Sequence, residues 1–496
     1  MNNKDEKIII IGGGLSGLSA GVHLLLLGYT DVTIYEKNDV CGGFCTSWPR
    51  KGYLIDGCIH WMTGTNEESA FHNVWSRTGA LEGTKVFQPD YYSICEYGGK
   101  KVTIWADPDK LNSELKRVSN EDDELIDEFT SAIKAYSVFD TPADKPDELL
   151  SKKENMSRLF GLRSAAAYLK RFGSLPLDEF AGEFKSPILR KVISTLLIGG
   201  YNTHYIILTL NNYWRKNAGI PLCGSLGVAK NISSRFASLG GKIVLGRAVN
   251  KVITEGSSFK GIELEGGETV SADKCISCVN AMHLTKDLLE GKVVLSEHEK
   301  RFLDLASYPL ISGILVSFAA SLGDGAPLSG CFDGEITTSI LKRDFVYYRY
   351  YNYFQGKDGK YVLECFIVTN ALEAAEYIRL KENDPDAYER EKELLKKEVE
   401  SAFLSKFGAS ARLEHLDTAT PATMKRYSNA YLGSYMSFVP RARAVPLPGS
   451  QRTPVRGLYL GGINAFDYGG IPFAMISGRK AAQLLSYDDG NDYEFV

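Results

Sequence analysis

Gly12, Gly14 and Gly17 stand in the stretch IIIIGGGLSGLSAGVHLLLLG at the spacing of a turn that holds a pyrophosphate. Gly12 permits the tight turn, Gly14 lets the backbone approach the diphosphate, and Gly17 lets the following helix press against the strand. Leu15 and Ser16 open that helix, so their amides supply donors at its positive end. Glu36 closes the next run, DVTIYE, where an acid accepts hydrogen bonds from ribose hydroxyls. Strand, turn, helix, strand and acid arrive in the order that a dinucleotide site needs. A glycine pair, Gly42 and Gly43, follows Lys37 after a short polar turn. Near the other end, GLYLGGINAFDYGGIPFAMISGRKAA has the same outline of strand, glycine turn and helix. Its turn holds Gly462 and Ile463, and Gly470, Ile471 and Pro472 lead into the helix. Pro472 suits a first helical turn, where its missing N–H costs nothing.

The elements around these turns set the class. Four β-branched residues in succession, Ile8–Ile11, suit a parallel strand buried on both faces. At 496 residues the chain is too long for one ordinary core. Hydrophobic residues at 44% and charged residues at 24% belong to a globular protein. A net charge of −4 is too small to hold nucleic acid by bulk electrostatics. Nine scattered cysteines make no disulfide framework, which points to a reducing cytoplasm. Cys275 and Cys278 form a CxxC without a second pair at zinc spacing; buried thiols in a strand are the expectation, and no metal site is. No signal peptide is expected before Ile8, and no apolar run reaches the length of a membrane span.

With the acid at Glu36 followed by Gly42-Gly43, the chain resembles the flavin enzymes of the amine oxidase and phytoene desaturase superfamily. That resemblance implies FAD, with the second turn closing over its diphosphate. An Arg follows the glycine pair in many of those families. Phe44 stands here instead, so backbone amides must serve. The resemblance further implies that the carboxy-terminal strand and helix return to the same domain, with Gly462 under the ribityl chain and the Ile471 amides near the flavin ring. Amine oxidases usually carry Glu or Asp where this chain has Ile463; phytoene-type carotenoid desaturases similarly lack the acid. The stretch TPATMKRYSNAYLGSYMSF, with Asn429 and Gly433-Ser434, is similar to the carotenoid desaturase pattern, and YLIDGCIHWMTG is closer to retinol saturase-like proteins. In the block from Pro221 to Asn280, Val249 matches the position whose backbone meets the adenine. The implied fold is α/β: a discontinuous Rossmann-type FAD-binding domain from 1–95, 220–285 and 415–496, and an inserted α+β substrate domain from 96–219 and 286–414.

The implied function is FAD-dependent oxidation or reduction of a carbon–carbon bond in an apolar polyene or isoprenoid lipid, by hydride transfer to or from flavin N5. Two alternatives stay open: an amine oxidase-like enzyme acting on a C–N bond, and a non-catalytic flavin-binding lipid carrier. Without a second nucleotide turn, the electron partner would be a quinone, oxygen or a carrier. His60 corresponds to a segment beside the flavin and is the candidate catalytic residue, able to exchange a proton near neutrality; anchoring of a backbone turn is the alternative. Trp61 would wall the cavity. The segment Ser157 to Leu177 alternates apolar and basic residues, as in an interfacial helix that touches the inner face of a membrane; a half-buried helix is the alternative. Arg343 to Thr369 reads as two strands whose aromatic residues wall a sheet or line a tunnel.

Overall fold

Side chains along a strand alternate between its faces, and in Lys7–Ile11 both faces are covered. Ile8 and Ile10 join one core with Leu18, Val22, Phe236 and Leu484, while Ile9 and Ile11 join another with Val252, Ile262 and Leu284. The computed structural model describes residues 3–495 apart from 141–143, 198, 324, 355, 440, 442–449 and 468. Lys7–Ile11 is the middle of a five-stranded parallel sheet. Its order is Lys242–Val244, Asp31–Tyr35, Lys7–Ile11, Lys274–Ser277, Leu458–Leu460. The helices Leu15–Leu26, Gly224–Ser238 and Ile471–Asp488 cover one face. Across the other lies a three-stranded antiparallel sheet beginning at Val249–Glu255. This is the α/β Rossmann-type arrangement that the glycine turn and the isoleucine run imply.

A second sheet of seven strands forms the other half. Its order is Glu414–Ala419, Ser312–Ala320, Tyr361–Thr369, Lys342–Tyr350, Ser329–Thr337, Tyr91–Tyr97, Lys100–Trp105. Neighbours run antiparallel except where Gly330–Phe332 meets Ile94–Glu96 in parallel. One face buries Val316, Phe318, Val346, Tyr348, Leu363 and Ile367 under the helices Ala371–Asn383 and Pro385–Phe407. The opposite face looks toward the Rossmann half. The boundary expected at 95/96 falls inside Tyr91–Tyr97, whose register binds it to this second sheet.

Between Asp107 and Trp214 the chain is helical, around a core that includes Phe129, Phe172, Phe180, Leu189 and Ile206. The segment 157–177 is not one amphipathic helix. It comprises the end of Lys152–Gly161, a short turn and Ala166–Phe172. Phe172 is buried in the core with Tyr168 and Leu169 against it. Arg158 pairs with Asp144 and Asp147, and Arg171 with Glu128 and Glu183. Of the basic residues Arg158, Arg163, Lys170 and Arg171 in this segment, local carboxylates therefore neutralise Arg158 and Arg171.

Candidate functional site

Two helix starts lie side by side. Ser16 Oγ donates to Ala474 O at 2.7 Å, and Ser19 Oγ to Met475 O at 2.7 Å. A Cβ on Gly478 would overlap the Ser16 carbonyl oxygen, so only glycine lets the two helices approach this closely. Some helices of the chain are capped by side chains: Asp107 accepts from Asp109 N and Lys110 N, and Asn370 from Leu372 N and Glu373 N. At Gly14 and Gly470 no side chain caps the helix. Both positive ends therefore keep their first amides for another acceptor.

The second glycine turn lies against the first. Gly14 and Gly42 form a β-bridge, and Gly42 N donates to Gly13 O at 2.9 Å. A Cβ on Gly43 would come within 3.2 Å of Gly14 Cα, and one on Gly14 would meet only Gly43 Cα, at 3.8 Å. Gly12, Gly14, Gly43, Phe44, Ile463, Gly470, Ile471 and Pro472 all retain accessible surface, so the turns line a groove rather than a closed core. A groove whose floor at Gly14 and Gly43 carries no side chain, with two uncapped helix ends beside it, fits the diphosphate and ribityl portion of FAD. Gly17 acts differently. A Cβ there would overlap the Gly12 carbonyl oxygen, so its role is helix-on-strand packing.

Other candidate binding residues divide between backbone and side-chain use. Buried Glu36 accepts from Gly13 N at 2.7 Å and from Asn38 N at 2.9 Å, so it ties the first turn to the chain beyond the second strand. Leu15 and Ser16 are buried, and the Ser16 hydroxyl is committed to the Ile471–Asp488 helix, which leaves its backbone amide for the groove. Lys37 turns away: its Nζ donates to Arg426 O at 2.9 Å and Asn429 Oδ1 at 2.7 Å. Asn429 has φ +57° and closes the Pro421–Ser428 helix, a position that Asn tolerates. Val249 is buried beside Ile11 and Leu284. Gly462 has φ +84°, and the chain turns there into Ile463.

His60 follows a segment held from two directions. Buried Asp56 accepts from Ser225 N at 2.7 Å and from Ser225 Oγ, and Ser225 Oγ also accepts from Ile59 N at 2.9 Å. The Asp56 carboxyl thus pins the turn before His60 to the start of the Gly224–Ser238 helix. Burial, and next the charge of Arg349, lower the His60 pKa to about 3. The imidazole is neutral and, contrary to the expectation above, does not titrate near neutrality. Its ring centroid lies 5.8 Å from Phe366 and 6.5 Å from Trp61, and Trp61 sits 5.6 Å from Tyr92. Trp61 is therefore part of an aromatic wall.

That wall continues on the inner face of the seven-stranded sheet. Phe345 and Tyr347 on one strand, and Phe366 and Val368 on its neighbour, keep accessible surface, whereas Val346, Tyr348, Cys365 and Ile367 between them are buried. Burial pushes the Tyr347 phenol up to about 12, so this half-exposed ring faces an enclosed space rather than bulk water. The same face carries polar groups that the sequence reading did not single out. Glu364, fully buried, sits opposite Arg349 in register. Its carboxyl instead meets Ser317 Oγ at 3.2 Å and the Tyr351 hydroxyl at 3.3 Å. Burial, then the Asp56 charge, raises the Glu364 pKa to about 8, so it holds its proton at neutral pH. A lone acid in YVLECFIVT and a lone base in FVYYRYY, each breaking an apolar alternation, were the signals available for both residues.

Comparison with known proteins agrees with this geometry. The model of the flavin containing amine oxidoreductases matches residues 15–486. A lycopene-forming phytoene desaturase from a Paracoccus strain is 26% identical over 299 residues, 57% of this chain and 56% of that protein. An all-trans-retinol 13,14-reductase from Danio rerio is 20% identical over 263 residues, 50% of this chain and 43% of that protein. The chain thus spans about half the length of the curated relatives it matches. Among solved structures, a cyclohexylamine oxidase from Brevibacterium oxydans superposes with a TM-score of 0.59 at 16% identity, covering 98% of this chain and 100% of that one. That likeness concerns the fold alone.

Proposed function

The chain belongs to the flavin-containing amine oxidoreductase family, whose cofactor is FAD, and on that premise we propose that it is an oxidoreductase acting on a carbon–carbon bond of an apolar polyene or isoprenoid lipid. The observation that carries this reading is the aromatic wall of Trp61, Tyr347 and Phe366 around a neutral His60. Flat rings match a conjugated chain, and such a lined space excludes water. When bound, the flavin accepts or gives hydride at N5. The glycine groove holds the diphosphate, the two uncapped helix ends offset its charge, and the aromatic face orients the lipid. His60 contributes a neutral hydrogen-bonding group in this reading. A quinone, oxygen or a carrier protein completes the electron cycle. Relatives named for phytoene desaturation and retinol reduction support this choice. A C–N oxidation is less favoured, because Arg349 would place a cation beside His60 and repel an ammonium group.

The test is anaerobic. The flavin of the purified protein is reduced and its absorbance followed as retinoid and carotenoid lipids are added. Reoxidation with a product two hydrogens heavier supports the reading in the reducing direction. Oxidation of a polyene by the oxidised protein supports it in the other. Turnover of amines with no response to any lipid would refute it.

Peripheral membrane contact is part of the same proposal. Among the described residues no helix is long and apolar enough to cross a membrane. The helix Lys152–Gly161 nevertheless exposes Met156 at 67%, Leu159 at 65% and Phe160 at 66%, beside exposed Lys152, Lys153 and Arg163. Flotation with anionic vesicles should retain the wild type and release a Leu159→Ser, Phe160→Ser double variant. Equal flotation of both would remove this contact from the proposal.

A further inference from the structure

Arg349 is a buried cation that has no ion pair among the described residues. It lies on the inner face of the Lys342–Tyr350 strand, 4% exposed. Its Nη2 donates to the His60 carbonyl oxygen, and its Nε donates to the Tyr353 hydroxyl at 3.0 Å. The guanidinium lies 5.7 Å from the Tyr351 ring centroid and 5.9 Å from that of Tyr353. Among the described residues no carboxylate forms an ion pair with it. Each acid on this face, or facing it, has another commitment. Asp56 is bound by Ser225. Asp417 is bound by Trp48 Nε1 at 2.8 Å and Arg50 Nε at 2.9 Å. Glu364, directly across the strand pair, turns to Ser317 and Tyr351 and keeps its proton at neutral pH. An arginine does not lose its proton in a protein. Burying that charge with only neutral acceptors is costly, and a site that keeps it is arranged to receive an anion.

We propose that Arg349 is the counter-ion for an acidic head group on the substrate, so that this site takes an amphipathic polyene or isoprenoid carboxylate rather than a plain hydrocarbon. The inference rests on the lipid reading above and sharpens it. Arg349, with the Tyr353 hydroxyl on its Nε, stands at one end of the aromatic wall, and Tyr347 beside Phe366, then Phe345 beside Val368, continue it along the strand pair. A carboxylate on the guanidinium, with the apolar chain along the rings, satisfies both ends at once. Arg349 also bonds the His60 carbonyl, so an occupied head-group site would fix the segment beside the imidazole.

The experiment uses the yellow holoprotein and two probes, retinoic acid and its methyl ester. Binding is read from the perturbation of the oxidised flavin spectrum, with Arg349→Met and Arg349→Lys alongside the wild type. The wild type should bind the acid about tenfold or more tighter than the ester. Arg349→Met should abolish that preference while keeping ester affinity, and Arg349→Lys should retain part of it. Equal binding of acid and ester by wild type would overturn the proposal. So would a loss of both together in Arg349→Met, or an Arg349→Met effect confined to the flavin reduction potential, which would assign the charge to the cofactor. If Arg349→Met does not fold, the wild-type preference and its behaviour in Arg349→Lys still decide. Acid preference without any redox response to polyenes would leave this inference standing and remove the proposed function. Redox turnover of esters and hydrocarbons with no acid preference would do the reverse.

Discussion

Around Gly14 and Gly43 the chain presents backbone to the space beside it, and around Arg349 and Glu364 it presents side chains. The groove depends on atoms that are absent: a Cβ on Gly43 would press on Gly14, and neither Gly14 nor Gly470 carries a cap. The inner face of the seven-stranded sheet depends on atoms that are present, such as phenols, a guanidinium and a protonated carboxyl among rings. A backbone site is general, because any dinucleotide diphosphate satisfies the same amides. A side-chain site is particular, because each group can be exchanged without altering the fold. On the proposed reading, the glycine groove tolerates little change in sequence, whereas few residues of the sheet face would set the substrate.

The largest expected effect separates two glycines within the groove. Gly17→Val drives a side chain into the Gly12 carbonyl and should cost more than about 4 kcal/mol, which leaves little soluble protein. Gly14→Val has φ −68° and meets only Gly43 Cα at 3.8 Å, so its apoprotein should melt close to that of the wild type. Its FAD content should nevertheless fall at least about tenfold, because the branched side chain occupies the diphosphate path. Thermal melts of apoproteins and the flavin-to-protein absorbance ratio check both. A yellow Gly14→Val protein would mean that the groove is not a backbone site.

Glu364 gives a pH dependence of known sign. Its folded pKa is raised from 4.5 to about 8, so between those values the folded state keeps a proton that the unfolded state has lost. Stability contributed by this group is fully present below pH 4.5 and falls as pH rises towards about 8, by at most about 1.4 kcal/mol per pH unit. Glu364→Gln should flatten that slope in melting temperature against pH. A variant with the wild-type slope would show that the carboxyl is already ionised at neutral pH. The smallest effect is expected from Phe366→Leu, half-buried and 5.8 Å from His60. Its flavin content should be unchanged and its stability within about 1.5 kcal/mol of the wild type, while its affinity for polyenes shifts. A matching loss of flavin would erase the distinction between the two regions.

Legibility in the sequence follows the same division. The groove could be read because each requirement falls on a residue type within a short stretch: glycine at 12, 14 and 17, an acid at 36, proline at 472. The bonds that make the rest of the site join distant positions. Asp56 and Ser225 are 169 positions apart, and His60 and Arg349 are 289. Nothing local encodes such a contact. The motif around His60 makes it a candidate from sequence alone, but its protonation state depends on burial and on Arg349, which only the assembled fold supplies. The direction of the Lys37 side chain is hidden for a similar reason: its acceptors belong to the Pro421–Ser428 helix and its cap. In 157–177 the alternation was real, but Arg158 and Arg171 spend their charge on neighbouring carboxylates.

The sheet that holds the first glycine turn also fixes when, during synthesis, the protein can become functional. Ser16 and Ala474 touch across 458 positions, and Leu458–Leu460 fills the edge of a sheet whose middle strand, Lys7–Ile11, is made long before it. Until that late strand emerges from the ribosome, the Lys274–Ser277 strand has an open edge, and the face of the Leu15–Leu26 helix that carries Ser16 and Ser19 lacks the helix it packs against. Open edges and uncovered apolar faces invite association with other chains. The interval in which these surfaces stay uncovered therefore lasts until the Leu458–Leu460 strand and the Ile471–Asp488 helix have been made and have docked.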